Sequence, residues 1–224
     1  MTGNPQPAAA PPVVDRATYD AALAEQLEAE KEVTRHGDRV SASRRRLPMV
    51  QVEDYVFAGP DGSVRLSELF DGRYLLLVQN VMFGPDWEEG CPSCTWATDN
   101  LPAEMGRLTD MGVSFAMVSH GPVERLEAWR EQRGWAHRWV SSLDTTYHDD
   151  WGWTRRDDDG ELSWMPGYSY YLMRDGTPYL TYMTHRRGTE AILPVAQVMD
   201  RTVYGRGQDW EDSPEGWPQE PTYG

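Results

Sequence analysis

Only two cysteines occur in the 224 residues, Cys91 and Cys94, so no disulfide framework holds this chain together. Lysine is almost missing as well; Lys31 is alone, and nearly all positive charge is arginine. Thirty-six acids against 21 bases leave a net charge of −15, which excludes an electrostatic match to a nucleic-acid backbone. Long apolar runs are absent. The best is "YLLLV" at 74–78, far short of a membrane helix, and no membrane partner is expected. The start, "MTGNPQPAAAPPVV", has no basic segment followed by an apolar one. It reads as a flexible tail rather than a secretory signal, and the cytoplasm is the expected location. There is no glycine-rich phosphate loop, no GxSxG elbow and no HExxH stretch, which removes the common nucleotide, serine-hydrolase and zinc-protease readings.

What is present falls into four segments: a tail at 1–14, a helical arm at 15–47, a domain at 48–205 and an irregular Pro-, Gly- and acid-rich tail at 206–224. In the arm, Tyr19, Leu23 and Leu27 are four apart, and Val33, Val40 and Leu47 seven apart. That spacing predicts a helix with one sticky stripe, interrupted at Gly37, that packs on the domain or builds a homodimer. The run Arg44, Arg45, Arg46 reads as its solvated end.

Within the domain, "VEDYVFAGPDGSVRLSELF" predicts a hairpin turned at Pro60-Asp61-Gly62, and "RYLLLVQNVMF" a buried central strand. After the loop "GPDWEEG" the cysteines open a helix, with Pro92 at its favoured first position and a kink expected at Pro102. "VSFAMVS" is a second buried strand, "PVERLEAWREQRG" an amphipathic helix and "HRWVSS" a short strand. A hairpin turned at Asp175-Gly176 and a last helix through Pro194 complete the pattern. Strand, CxxC helix, strand, helix, then hairpin and helix is the order of a thioredoxin-like α/β fold. Loops that follow its parallel strands share one sheet edge, where sites are built.

The stretches "EKEVTRHGDRVSASRRRLP", "MFGPDWEEGCPSC" and "DWEDSPEGWP" resemble the domain-of-unknown-function family eight-nine-nine. The resemblance runs from about Glu30 into the tail. It implies a thioredoxin-like fold and a predicted dithiol–disulfide oxidoreductase in which Cys91 and Cys94 are the reactive pair. The sequence departs from the family pattern at Gln79 and Asn80, where an aromatic and a histidine are usual. It departs again at His120, usually arginine, and at His185, usually tyrosine.

A cysteine at a helix N-terminus is favoured as thiolate by the exposed amides, which makes Cys91 the nucleophile and Cys94 the resolving thiol. Against this, Asp86, Glu88 and Glu89 stand just upstream, and their charge is expected to raise a thiol pKa. Thioredoxin-like redox enzymes also usually carry a cis-proline before the hairpin; Tyr168 holds that spacing from Gly176, with Pro166 two residues earlier. The peroxiredoxin pattern fails, because its proline and threonine positions hold Gly84 and Glu88.

Two thiolates make half of a soft-metal site, and His120 and His185 are both expected near the same sheet edge. Three readings follow. The favoured one is a copper-dependent oxidoreductase of a sulfur-containing small molecule, with Cu(I) on Cys91, Cys94 and one or both of His120 and His185, and oxygen as oxidant. The second is a metal-free dithiol–disulfide oxidoreductase using Cys91 and Cys94. The third is a non-enzymatic copper or zinc protein. Under either enzyme reading Trp87, Trp96 and Tyr168 are expected to wall the substrate pocket. His148 reads as a loop residue, and each histidine also has a plain structural reading as a cap or a surface group.

Overall fold

A computed structural model of the chain describes residues 7–101, 106–156, 159–160 and 162–221. The chain divides into two units, Pro48–Pro194 and Met1–Leu47 with Val195–Gly224.

In the terminal unit, α1 spans Arg16–Arg44 and runs through Gly37 without a break. Asp15 caps it, its carboxylate accepting from the Thr18 amide at 2.9 Å, which satisfies one of the amides a helix start leaves free. No residue of this helix is buried. The C-terminal stretch is built from turns rather than regular structure. Trp217 donates to the Val203 carbonyl at 3.0 Å, Tyr204 donates to the Ala9 carbonyl at 2.8 Å, and Arg206 pairs with Asp200 at 2.6 Å.

In the central unit the chain forms β1 (Val50–Gln51), β2 (Val56–Gly59), β3 (Gly62–Arg65), a 3-10 turn (Leu66–Phe70), and β4 (Leu75–Asn80). Next come α2 (Pro92–Asp99), α3 (Gly106–Asp110), β5 (Val113–Ser119), α4 (Val123–Arg133) and β6 (Trp139–Ser141). Then follow α5 (Tyr147–Asp150), β7 (Thr154–Arg156), β8 (Leu162–Trp164), β9 (Gly167–Arg174), β10 (Thr177–His185), a 3-10 stretch (Arg186–Ile192) and α6 (Pro194–Met199). Eight strands make one sheet in the order β1-β10-β9-β4-β5-β6-β2-β3, while β7 and β8 pair separately. Strands β4, β5 and β6 are mutually parallel, and β9 closes antiparallel on β4.

The apolar run of β4 follows from its place, since a strand covered on both faces reads as continuous hydrophobics rather than alternation. Leu76 and Val78, with Ala116 and Val118 of β5, face one core with Phe57, Tyr147, Trp153 and Tyr171. Met117 faces the other, with Phe83, Leu126, Trp129, Trp139 and both cysteines. The expected hairpin turns are present. Asp175 and Gly176 both take positive φ, 50° and 78°, the conformation a two-residue hairpin turn demands.

Besides the unbroken helix at Gly37, three expectations need correction. The last helix does not run through Pro194 but starts at it, because the ring supplies no amide and the first helical position needs none. The stretch after the cysteines is two short helices, α2 and α3; the kink expected at Pro102 lies outside the described residues. His148 is no loop residue; it sits in α5 and is 2% exposed.

Gly167 begins β9 at the sheet edge, where an added Cβ would meet the Thr184 carbonyl and stand 2.7 Å from the Trp153 ring. Gly167→Ala should therefore lower stability by about 1–3 kcal/mol through overpacking. The denaturant midpoint should fall at constant slope, and an unshifted midpoint would show that the strand end has room.

Candidate functional site

Asn80 ends β4, and the chain then crosses the sheet edge before turning back at α2. Two backbone bonds fix the turn: the Cys91 amide donates to the Met82 carbonyl at 3.2 Å, and the Cys91 carbonyl accepts from Thr95 at 2.9 Å. Cys91 is thus the N-cap of α2, with Pro92 first in the helix. Its sulfur lies 3.1 Å from the Ser93 hydroxyl. Both cysteines are free thiols and both are buried, 8% and 5% exposed.

The Cys91 thiol is pulled down from an ordinary value near 9 to about 5. Donation from the Cys94 thiol is the largest cause; burial opposes it, and the Ser93 hydroxyl and the amides of Cys94 and Ser93 add to the lowering. Cys94 is pushed well up, because its S–H donates a hydrogen bond to Cys91, it is buried, and it feels the Cys91 charge. The pair therefore splits into a thiolate and a proton-holding thiol, the division of labour that thiol–disulfide exchange uses. The acidic loop does not raise Cys91 as expected. Arg125 of α4 donates to the Trp87 carbonyl at 3.1 Å and stands 3.4 Å from the Glu88 carboxylate, so that acid faces a guanidinium.

Beneath the pair the sheet is polar. Gln79 donates to the Thr98 hydroxyl at 3.0 Å, and Thr98 donates to the Cys94 carbonyl at 2.9 Å. Tyr168 stands opposite Gln79 in the β4–β9 register, buried, and its hydroxyl pKa is raised by burial, by Tyr170 and by Cys94. Neither the Tyr168 hydroxyl nor the Gln79 carbonyl oxygen has a hydrogen-bond partner among the described residues. No peptide bond among those residues is cis.

The aromatic expectations divide. Trp87 packs edge-on against Trp164 of β8, ring centroids 5.7 Å apart. Trp96 is 44% exposed: two residues beyond Cys94, it is carried to the outer side of a helix whose inner side is Cys94, Thr95 and Thr98.

The histidines divide too. His120 follows β5, and its ring packs against His148 at 5.5 Å and Trp164 at 5.9 Å. His148 shares its Nδ1 with the Ser142 hydroxyl at 2.6 Å. Burial pushes the His148 pKa down to about 3 and lowers that of His120, so both rings are held neutral. His185 ends β10 opposite Gly167 and is exposed. Among the described residues no three His, Cys, Asp or Glu side chains form a group able to hold a metal. The two thiols thus have no third donor of the kind expected of His120 or His185 grouped with them among the described residues, which leaves half of a tetrahedral zinc set.

His148 and the β7–β8 hairpin are the parts the sequence reading missed. The signal for the hairpin was Asp159-Gly160 between Thr154-Arg155-Arg156 and Leu162-Ser163-Trp164, a turn dipeptide between short segments. Gly84, which stands where a peroxiredoxin has proline, has a local reason. A Cβ there would lie 2.8 Å from Trp164 and 2.9 Å from the Trp87 indole nitrogen.

A parallel β4–β5–β6 core closed by an antiparallel hairpin, with a CxxC opening the helix after the central strand, defines a thioredoxin-like protein. Solved structures agree at the level of fold. Peroxiredoxin Q from Xanthomonas campestris aligns at a TM-score of 0.52 and 13% identity, over 69% of this chain and 98% of that one. A cysteine-to-serine variant of the same protein aligns at 0.50 and 14% identity, over 65% and 91%. No curated protein matches. The family described as "Bacterial protein of unknown function (DUF899)" matches residues 8–223, and the chain belongs to that family. Helices of the described residues are too short or too polar to cross a membrane.

Because the depressed Cys91 value belongs to the fold, reactivity and stability are tied together. Between pH about 5 and 9 the unfolded thiol holds a proton that the folded one has lost. The reduced protein should therefore gain stability as pH rises through that window and lose the gain as pH falls through about 5. Cys91 alkylation should show a midpoint near 5, and Cys94→Ala should move it upward. A midpoint near 9 in both proteins would overturn the assignment of Cys94 as donor.

Proposed function

We propose that this protein is a dithiol–disulfide oxidoreductase that acts on sulfur-containing substrates through Cys91 and Cys94. One observation carries the reading: at a single helix start, Cys91 is held as thiolate while Cys94, buried one turn further in, keeps its proton.

The direction of the reaction follows from the same fact. Stabilising the thiolate stabilises the reduced protein and makes its disulfide the stronger oxidant. A substrate thiolate attacks Cys91 of the Cys91–Cys94 disulfide; the S–S bond breaks, a mixed disulfide forms, and Cys94 leaves and takes up a proton. A second substrate thiol then attacks the substrate sulfur and expels Cys91 as thiolate, a good leaving group because its pKa is low. The substrate loses two electrons as two thiols become a disulfide, and the protein gains them. An external disulfide or comparable oxidant restores the starting state. Trp87 packs on the core cluster that holds both cysteines, and the buried Tyr168 hydroxyl feels Cys94, which supports assigning these two to the surroundings of the pair.

Cys94→Ser leaves the nucleophile without its partner. Incubated with a mixed disulfide of a small thiol, this variant should hold the thiol on Cys91 as a stable adduct, seen as a mass increase removed by dithiothreitol. The parent protein should release it and form the internal disulfide, and Cys91→Ser should form neither. Failure of the parent to form a Cys91–Cys94 disulfide would sink the proposal.

A further inference from the structure

The Trp129 indole N–H of α4 and the Thr95 hydroxyl of α2 are buried, and neither has a hydrogen-bond partner among the described residues. The two residues are 8% and 9% exposed. A buried donor left unpaired costs free energy, so each such group asks for a reason. Neither serves the Cys91 thiolate, whose side-chain donors are Cys94 and Ser93.

Both atoms converge beside one residue. A Cβ built on Gly90 would lie 2.8 Å from the Trp129 nitrogen and 3.3 Å from the Thr95 oxygen. Gly90 is buried, and its φ is not in the left-handed region that favours glycine. The approach of the two donors is what keeps this position free of a side chain. The spot also belongs to the turn that carries the nucleophile. Gly90 precedes Cys91, the Thr95 amide donates to the Cys91 carbonyl at 2.9 Å, and Trp129 packs in the core that holds both cysteines.

An indole N–H only donates, so the group it serves must offer a lone pair, which excludes an ammonium group. Two neutral donors converging on one point suit an oxygen, which accepts from both at once. We infer that Gly90, Thr95 and Trp129 form an acceptor-oxygen subsite beside Cys91, selecting substrate thiols that carry a carbonyl oxygen close to their sulfur. This rests on the dithiol reading and names the class of thiol that meets Cys91. As the substrate sulfur bonds to Cys91, the Cys91–Cys94 bond breaks and Cys94 leaves and takes up a proton. In the mixed disulfide the substrate oxygen accepts from Trp129 and Thr95.

The test mixes the oxidised full chain with mercaptoacetamide, or with ethanethiol, which lacks the oxygen. Loss of the Cys91–Cys94 disulfide is followed by quenching with an alkylating agent and mass spectrometry. Each rate is taken per thiolate and divided by that thiol's rate with hydroxyethyl disulfide, which removes intrinsic nucleophilicity. On this scale wild-type protein should prefer mercaptoacetamide. Thr95→Val keeps the side-chain shape without the hydroxyl and should cut the preference by about threefold to tenfold. Thr95→Ser keeps the hydroxyl and should retain the preference, while Gly90→Ala should remove it. A purely structural role would slow both thiols alike and leave the ratio in place. Absence of the wild-type preference, a ratio indifferent to Thr95→Val, or an equal loss in Thr95→Ser would overturn the inference and leave the dithiol reading standing. Oxidised wild-type protein that reacts with neither thiol would overturn both.

Discussion

Cys91 is where the backbone, the helix start and the chemistry meet. Its amide ties the loop after β4 to Met82, its carbonyl starts α2, and its sulfur collects the donors that the helix start turns toward it. Nothing in this arrangement requires a charged partner. Neutral donors stabilise the thiolate, and the first of them is the other cysteine. The wall of carboxylates just upstream does not reverse the effect, since Arg125 holds that loop by its carbonyls and faces Glu88. An acidic protein thus keeps an acidic thiol.

Around that centre the sheet supplies a graded environment. Gln79 and Thr98 bond in series to the backbone of Cys94, so the resolving thiol rests on a polar support inside an otherwise apolar core. Trp87, Trp164, His120 and His148 form a neighbouring layer along the same sheet edge, ring against ring. Burial holds both imidazoles neutral, and Ser142 fixes one of them. The layer explains why residue 84 is glycine, since a Cβ there would strike Trp164, while at Gly121 a Cβ would strike Phe83 of the core that holds the cysteines.

Much of this was legible in the sequence because it rests on local pattern. The continuous apolar run of β4, the Asp175-Gly176 turn and the proline after Cys91 each have one easy structural solution, and together they define the fold. Side-chain company across the sheet edge was not legible. His120 and His185 share an edge by topology, as expected, but one turns into an aromatic stack and the other faces outward. Trp96 was placed beside the cysteines by sequence distance and carried away from them by helical rotation. His148 looked like part of an acidic loop because its partners, Ser142 and His120, come from other segments. A ligand set needs three side chains to converge, and spacing along the chain constrains only the two cysteines.

The central claim is that the fold favours the reduced pair by stabilising the Cys91 thiolate. Equilibration of the protein with glutathione buffers of graded ratio, followed by quantification of the Cys91–Cys94 disulfide, tests this most directly. The account predicts a single two-electron transition that shifts to more reducing buffers when Ser93, a donor to the Cys91 thiolate, is replaced by alanine. A pair that stays a disulfide in strongly reducing glutathione, or that never forms one, would contradict it.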